Sequence, residues 1–278
     1  MTLAIDAGGT YLRGEIYGAN GLLKKFREKS STIGLAFWIE SILKENTDIK
    51  VICISYAGQV KDGVILLAPN IKIDIPEIKS YFENKYEVEL FIENDLNCAV
   101  LAEANFLNEE DICAIYVGTG LGLGVMSSSK LITGFSGVAT ELGHIPYKET
   151  PFKCGCGKNN CIELFASGLA LKNWKKYKNI ESNLTLQELK SNTESNKIYE
   201  EFEKALLYAI ATAITLFNPK IVVLGGGIID SNPQLESIIS TKIVNYAMPI
   251  ALKNVKIINT KLKDASLMGA LMLKARDE

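Results

Sequence analysis

The sequence predicts an α/β protein with two related lobes, each containing a mixed β-sheet. Short apolar segments typical of strands alternate with longer segments of helical character along most of the 278 residues. A three-strand meander around a glycine-rich turn occurs near the start of the chain and again from residue 112. Strands that alternate with helices after a meander are typical of a mixed sheet, and the repeat indicates two lobes. The alternative is coincidence, since many α/β proteins contain two glycine-rich turns after strands.

The first half of the chain carries one copy of this pattern. Apolar runs bounded by glycine and asparagine turns predict a meander with strands at Leu3–Asp6, Tyr11–Tyr17 and Leu22–Phe26. The segments that follow predict, in order, a helix at Leu35–Lys44, strands at Val51–Ile54 and Leu90–Ile92, and a helix at Asn97–Leu107.

The second half repeats the plan. Its meander is predicted at Ile112–Val117, Leu123–Met126 and Lys130–Thr133. Further elements are predicted at Lys197–Phe217 (helix), Ile221–Leu224 (strand), Leu235–Tyr246 (helix), Val255–Ile258 (strand) and Ala265–Ala275 (helix). We therefore expect a small lobe over residues 1–105, closed by the C-terminal segment 265–278, and a large lobe over residues 106–264.

The composition excludes several classes of protein. The formal net charge is −2, so no broad basic surface is available to bind nucleic acid. No apolar run approaches the roughly 20 residues that a membrane helix needs. The first residues lack the basic and apolar regions of a signal peptide, which makes a disulfide framework from the six cysteines a poor interpretation. We expect a cytoplasmic protein with reduced thiols.

Three glycine-rich turns follow predicted strands, and two of them are typical of phosphate binding. Glycine lets backbone N–H groups approach phosphate oxygens closely, and the threonines can add hydroxyl donors. A carboxylate beside the first turn could hold Mg²⁺ through water, and the third turn could lie against adenine or ribose. Each turn taken alone could equally be a tight strand connection. The candidate nucleotide-binding residues are Asp6, Gly8, Gly9, Thr10, Gly118, Thr119, Gly120, Gly225, Gly226 and Gly227.

Polar residues crowd the end of the strand at Leu90–Ile92, in the segment Glu93–Asn97. A carboxylate at this position, Asp95, can accept the proton of a hydroxyl group that attacks a γ-phosphoryl group. The alternative is structural, because Asn94 or Asp95 could cap the helix that follows. The sequence leaves both interpretations open.

The sharpest pattern is a set of metal-ligating residues. His144, the only histidine, precedes Cys154, Cys156 and Cys161 in the spacing His-x9-Cys-x-Cys-x4-Cys. Three thiolates and one imidazole complete a closed tetrahedral zinc site, which predicts a structural zinc ion. The other cysteines lie in apolar segments and are interpreted as core residues. Glu141 and Glu163 flank the pattern and could either contact sugar hydroxyls or be solvated charges.

Taken in order, these motifs resemble the ROK family (repressors, open reading frames and sugar kinases) of the actin-like ATPase superfamily. The motifs are Asp6–Thr10, Glu93–Asn97, Gly118–Gly122, Glu141–His144, the cysteine loop ending in Glu163, and Leu224–Ile228. The resemblance implies two ribonuclease-H-like lobes with sugar and ATP in the cleft between them. It also implies Mg²⁺, structural zinc, a sugar as the small-molecule partner, and a homodimer.

The resemblance assigns Asp95 as the base that deprotonates the attacking hydroxyl, commonly the 6-hydroxyl of a hexose such as glucose. His144 would bind zinc through one ring nitrogen and the sugar through the other. The residues implied to bind the sugar are Gly58, Asn70, Asn94, Asp95, Glu141, His144 and Glu163.

Some positions depart from the family pattern. Ala57-Gly58 stands where a Pro-Gly pair is usual, and Thr140 and Asn160 each replace a usual glycine. The segment after Asn70 lacks its usual tryptophan. These departures line the expected sugar site and weaken an assignment to glucose in particular. Three functions therefore stay open: a hexose kinase, a kinase for an N-acylhexosamine, and a non-catalytic sugar sensor. The sensor is disfavoured because the Asp6 motif leaves no preceding room for a DNA-binding module.

Overall fold

The computed structural model describes residues 1–68 and 71–277. The strands, in chain order, are β1 (Thr2–Ala7), β2 (Tyr11–Gly18), β3 (Gly21–Lys29), β4 (Val51–Tyr56), β5 (Gln59–Lys61), β6 (Val64–Leu67), β7 (Glu89–Asn94), β8 (Ile112–Val117), β9 (Leu121–Ser127), β10 (Lys130–Leu131), β11 (Ile221–Gly225) and β12 (Lys256–Asn259). The α-helices are α1 (Leu35–Glu45), α2 (Ile78–Lys85), α3 (Asp95–Leu107), α4 (Gly168–Tyr177), α5 (Leu186–Ser191), α6 (Asn196–Phe217), α7 (Gly227–Ser231), α8 (Leu235–Lys242), α9 (Pro249–Leu252), α10 (Ala265–Leu271) and α11 (Leu273–Asp277).

The chain folds into two compact units. The first unit comprises Met1–Leu107, Thr133–Ala139 and Leu262–Glu278. The second unit comprises Asn108–Ile132 and Thr140–Lys261. The segment Thr133–Ala139 therefore belongs to the first unit, although the residues on either side of it in sequence belong to the second.

The first unit is built on a five-stranded sheet in the order β3-β2-β1-β4-β7. β1, β2 and β3 form an antiparallel meander, whereas β1, β4 and β7 are parallel. β1 and β4 are buried along nearly their whole length, as expected for parallel strands covered on both faces. Helix α10 packs against α3, where Cys98 and Ala270 belong to one buried cluster.

The second unit contains a sheet with the same plan, in the order β10-β9-β8-β11-β12. β8 pairs antiparallel with β9 and parallel with β11, and β11 pairs parallel with β12. The long helix α6 buries twelve of its residues, of which all but Glu203 belong to the hydrophobic core of this unit. Both units thus share strand order and direction, which agrees with the duplication that the repeated pattern predicts.

Local details differ from the sequence prediction at helix ends. α3 begins at Asp95, two residues before the predicted start, because Asn94 caps it. The predicted helix Leu235–Tyr246 ends at Lys242 and continues as a 3₁₀ turn. The predicted C-terminal helix is broken at Met272 into α10 and α11.

Several elements were not predicted, although one carries a clear sequence signal. The β5–β6 hairpin and helices α2, α4, α5, α7 and α9 were missed. α5 begins with a capping box, in which Thr185 accepts the N–H of Glu188 and the Glu188 side chain accepts the N–H of Thr185. A threonine followed three residues later by glutamate is a recognised helix start. Within the described ranges, no helix is both long enough and apolar enough to cross a membrane.

Candidate active site and metal centre

The three parallel strands of the first unit end level with one another. Ala7, Tyr56 and Asn94 are register partners across β1, β4 and β7. The residues that follow these strands therefore lie along one edge of the sheet, where ligands of α/β proteins commonly bind. This edge carries the candidate residues Asp6, Gly8, Gly9, Thr10, Gly58, Asn94 and Asp95.

Asn94 is fixed at both ends of its side chain. Its Oδ1 accepts the backbone N–H of Leu96 at 2.9 Å and that of Asn97 at 3.3 Å. Its Nδ2 donates to the backbone oxygen of Gly58 at 3.0 Å. The capping interpretation is therefore correct for Asn94, and the same side chain joins two of the predicted sugar-binding segments.

Asp95 is the first residue of α3, and its Oδ1 accepts the N–H of Leu96 at 3.0 Å. The N-terminus of a helix stabilises a negative charge, because the unpaired N–H groups of the first turn point towards that charge. Asp95 thus carries its carboxylate at the sheet edge beside the Gly58–Asn94 hydrogen bond.

Asp6 is held by Arg13, which was not among the predicted site residues. Arg13 donates from Nε and Nη2 to Asp6 Oδ2, at 3.1 and 2.7 Å, and from Nη1 to Asp264 Oδ1 at 2.5 Å. The buried Ser55 hydroxyl donates to Asp6 Oδ1 at 3.3 Å. The register of the β1–β2 hairpin could have revealed the ion pair between Asp6 and Arg13, because the two residues lie opposite each other on these strands.

The first glycine-rich turn is closed by its own backbone. Gly8 N–H donates to the oxygen of Tyr11 at 3.0 Å, and the Ser30 hydroxyl donates to the oxygen of Gly8 at 2.5 Å. Gly9 and Thr10 are exposed at the tip of this turn. Their position leaves the tip accessible to a ligand.

The second unit brings its two glycine-rich turns side by side. Gly225 at the end of β11 is the register partner of Tyr116 on β8, so Gly226 and Gly227 follow next to the turn Gly118–Gly120. The oxygens of Gly118 and Thr119 accept the N–H groups of Gly168 and Leu169 at the start of α4, at 2.8 and 3.1 Å. Because a trans peptide points its N–H opposite to its C=O, the N–H groups of Thr119 and Gly120 face away from α4.

The predicted metal ligands lie together in the same unit. One ligand atom from each of His144, Cys154, Cys156 and Cys161 lies within 4.8 Å of the others. Two separations are 3.4 Å: His144 Nδ1 to Cys154 Sγ, and Cys156 Sγ to Cys161 Sγ. Tetrahedral zinc with Zn–S bonds of about 2.3 Å places its ligands about 3.8 Å apart, so the group has the size and donor set of a zinc site.

The electrostatics of the thiols suit a cation at this point. Burial raises the pKa of Cys154 and of Cys161. Burial also opposes ionisation of Cys156, but the backbone N–H of Lys158 and the neighbouring thiols hold the pKa of Cys156 below its ordinary value. A thiol that coordinates a metal is deprotonated even when its pKa is raised, because the positive charge of the cation stabilises the thiolate.

The remaining cysteines are core residues, as predicted. Cys53, Cys98 and Cys113 are all buried. Burial raises the pKa of Cys53 to about 11 and that of Cys113 to about 12, so both thiols stay protonated.

His144 presents its two ring nitrogens to different groups. Nδ1 faces Cys154, whereas Nε2 lies 3.8 Å from Glu141 Oε2. His144 is the last residue of the short 3₁₀ turn Leu142–His144, and Glu141 is the residue immediately before that turn. Thr140 has a φ of 66°, a conformation that favours glycine, which accounts for the glycine usual at this position in the family pattern.

Glu163 lies between the segment that carries the four candidate metal ligands (residues 144–161, here called the metal loop) and the second glycine-rich turn. Its Oε2 accepts the N–H of Leu121 at 3.0 Å, and its Oε1 is 3.5 Å from Cys154 Sγ. The hydrogen bond between Leu121 and Glu163 joins residues that are 42 positions apart in sequence, and it was not predicted. The predicted sugar-binding residue Asn70 lies outside the described residues.

Comparison with known proteins identifies the family. The family model described as ROK family matches residues 2–277, almost the whole chain. This chain belongs to the ROK family. The predicted family and the predicted α/β fold of the actin-like ATPase class are therefore confirmed.

Relatives within the ROK family include both enzymes and regulators. The chain is 27% identical to the glucokinase of Thermotoga maritima, over 96% of this chain and 95% of that one. It is 32% identical to the xylose repressor of Bacillus subtilis, over 63% of this chain and 47% of the repressor. The crystal structure of the ROK family glucokinase from Streptomyces griseus in complex with glucose and AMPPNP has a TM-score of 0.78 and 25% identity, and covers 100% of this chain and 99% of that one.

Proposed function

We propose that this ROK protein is an ATP-dependent kinase that phosphorylates a hydroxyl group of a hexose, with Asp95 as the general base. The observation that carries the proposal is the arrangement at the sheet edge of the first unit. There Asp95 starts α3, and Asn94 caps that helix and donates a hydrogen bond to Gly58. Asp6 and the turn Gly8–Thr10 lie at the end of β1 on the same edge. Similarity to two glucokinases supports the assignment.

The proposed chemistry is direct phosphoryl transfer. Asp95 accepts the proton of the sugar hydroxyl as the hydroxyl oxygen forms a bond to the γ-phosphorus. At the same time the bond between the γ-phosphorus and the bridging oxygen breaks, and ADP leaves. The start of α3 favours the charged carboxylate that serves as base. Mg²⁺ bound to the phosphates would neutralise their charge, and Asp6 is its proposed anchor, through water. Glucose, through its 6-hydroxyl, is the first substrate to test.

Each unit contributes its own candidate residues. In the first unit, Gly58, Asn94 and Asp95 are the proposed sugar-binding residues, and Asp6 with the turn Gly8–Thr10 is proposed for Mg·ATP. In the second unit, Glu141, His144 and Glu163 are the proposed sugar-binding residues, and the turns Gly118–Gly120 and Gly225–Gly227 are proposed for the nucleotide.

The four ligands His144, Cys154, Cys156 and Cys161 are proposed to hold a structural zinc ion. Nδ1 of His144 faces the thiols and is the proposed metal ligand. Coordination at Nδ1 leaves the proton on Nε2, which can then donate to a sugar hydroxyl beside Glu141. Elemental analysis should find one zinc per chain and a loss of most of it in Cys161→Ser. Full retention of zinc in that variant would contradict the assignment.

Sugar-dependent release of ADP from Mg·ATP tests the function. The panel should include glucose, mannose, fructose, allose, N-acetylglucosamine and N-acetylmannosamine. We expect one sugar to drive turnover and Asp95→Asn to lower kcat by about 10²- to 10⁴-fold, the usual contribution of a general base.

Asp48→Asn is the matched control, because Asp48 is an exposed carboxylate just before β4, at the opposite end of that strand from the site. It should leave kcat unchanged. If no sugar drives ADP release from folded, zinc-loaded protein, the kinase proposal is wrong and a sugar-sensing function becomes the better explanation.

A further inference from the structure

Glu163 makes a contact that sugar binding alone does not require. Its Oε2 accepts the backbone N–H of Leu121, the residue that directly follows the turn Gly118–Gly120. A charged acceptor makes this hydrogen bond stronger than one between neutral groups. The carboxylate is therefore tied to a turn that we assign to the phosphates of the nucleotide.

The surroundings of this contact are closely packed. A Cβ atom on Gly120 would lie 2.5 Å from Glu163 Oε2, which is closer than real side chains come. A Cβ atom on Gly143 would lie 2.3 Å from the backbone oxygen of Leu121 and 3.4 Å from Glu163 Cβ. Two glycines thus allow the turn, Glu163 and the 3₁₀ turn of His144 to approach one another.

The metal loop fixes the backbone that carries Glu163. Glu163 lies in a 3₁₀ turn that begins immediately after the metal ligand Cys161, and Leu164 N–H donates to the oxygen of Cys161 at 3.1 Å. Ile162 N–H donates to the oxygen of Ile145, the neighbour of the ligand His144, at 3.0 Å. Glu163 Oε1 also lies 3.5 Å from Cys154 Sγ. Three of the four ligands therefore border Glu163.

We infer that Glu163 is a positioning residue for the nucleotide, which couples the metal loop to the turn Gly118–Gly120. A metal ion that orders the loop holds Glu163 in place, and Glu163 in turn holds Leu121 and the N–H groups of Thr119 and Gly120 that face away from α4. Metal occupancy thus sets the affinity of the turn for phosphate groups. This inference rests on the proposed function, because it takes the turn to be a nucleotide site.

Nucleotide binding without sugar separates this role from sugar binding. We would measure the Kd of AMPPNP with Mg²⁺ for the zinc-loaded full chain by calorimetry. Glu163→Ala should raise this Kd about 10-fold, the usual effect of losing one hydrogen bond to a charged group. Glu163→Gln should stay within about 3-fold of wild type, because its amide oxygen can still accept the N–H of Leu121.

Glu141→Ala is the matched control. Glu141 is also a proposed sugar-binding carboxylate next to the metal loop, and it is the residue from which the 3₁₀ turn of His144 begins. We expect this variant to lose sugar affinity but to keep the wild-type Kd for AMPPNP. Removal of zinc with a chelator should weaken AMPPNP binding to wild type and should have little further effect on Glu163→Ala.

Hydrogen exchange at the Leu121 amide gives a second measurement, which needs neither sugar nor nucleotide. Its protection should fall in Glu163→Ala and in wild type after zinc is removed. If Glu163→Ala binds AMPPNP as wild type does, the coupling is wrong while the proposed function stands. If wild type binds no nucleotide at all, both are wrong. If Glu163→Ala does not fold, wild type without zinc decides the question. Hydrogen exchange at its Leu121 amide that is no faster than in the zinc-loaded protein would overturn the inference.

Discussion

Replacing Asn94 by alanine should weaken two connections in the first unit at once. The Asn94 side chain caps α3 through the N–H groups of Leu96 and Asn97. The same side chain donates to the backbone oxygen of Gly58 and so joins the end of β7 to the segment after β4. Alanine can replace neither interaction.

The magnitude follows from these contacts. Loss of a side-chain helix cap costs about 1 kcal/mol, and loss of one hydrogen bond to a backbone oxygen costs about 1 kcal/mol more. We therefore expect Asn94→Ala to lower the free energy of unfolding of the first unit by about 2 kcal/mol. Asn94→Ser keeps a capping oxygen but loses the amide donor to Gly58, so it should cost about 1 kcal/mol.

The two tryptophans make the measurement specific to one unit. Trp38 is buried in the first unit and Trp174 belongs to the second, and the chain has no other tryptophan. In a Trp174→Phe background, urea unfolding followed by the fluorescence of Trp38 reports the first unit. If Asn94→Ala costs less than about 0.5 kcal/mol, or Asn94→Ser costs more than Asn94→Ala, these two contacts do not stabilise the first unit as described.

Three further substitutions test other contacts with the same kind of measurement. Arg13→Met removes the guanidinium from the buried Asp6 carboxylate and should lower the free energy of unfolding of the first unit by about 2 kcal/mol, whereas an unchanged value would show that solvent already screens the pair. Gly269→Ala would place a Cβ atom 1.7 Å from the backbone oxygen of Cys98, where α10 crosses α3, and should cost about 3 kcal/mol; a cost below about 1 kcal/mol would contradict this packing. Thr140→Gly relieves a left-handed conformation at a β-branched residue and should stabilise the second unit by about 0.5 kcal/mol, measured with Trp174 as the only tryptophan; a loss of stability would contradict the expected relief.

Much of the fold could be predicted from sequence because its signals are local. Apolar runs and glycine turns predicted β8 with its observed bounds, and the other strands of the two five-stranded sheets with ends that differ by a few residues. The candidate metal-binding group could be proposed because four rare donor residues stand in a compact segment, and the structure brings one potential ligand atom from each of them together.

Other parts of the fold needed the structure. The break at Met272 and the early start of α3 depend on how each helix end is capped or packed. The unpredicted helix α5 does carry a capping box, so its signal was present and was missed. The segment Thr133–Ala139 belongs to the first unit although its chain neighbours belong to the second, which no local pattern encodes.

The residue types available for chemistry can be read from the sequence alone: a carboxylate after a strand, glycine turns, and a histidine with three cysteines. The contacts that each of their atoms makes are known only from the folded chain. The tertiary structure assigned the helix cap to Asn94, paired Asp6 with Arg13, turned His144 Nδ1 towards the thiols, and joined Glu163 to Leu121. The physical reason is that a hydrogen bond depends on distances of about 3 Å between atoms, and folding sets those distances between residues that can lie far apart in sequence.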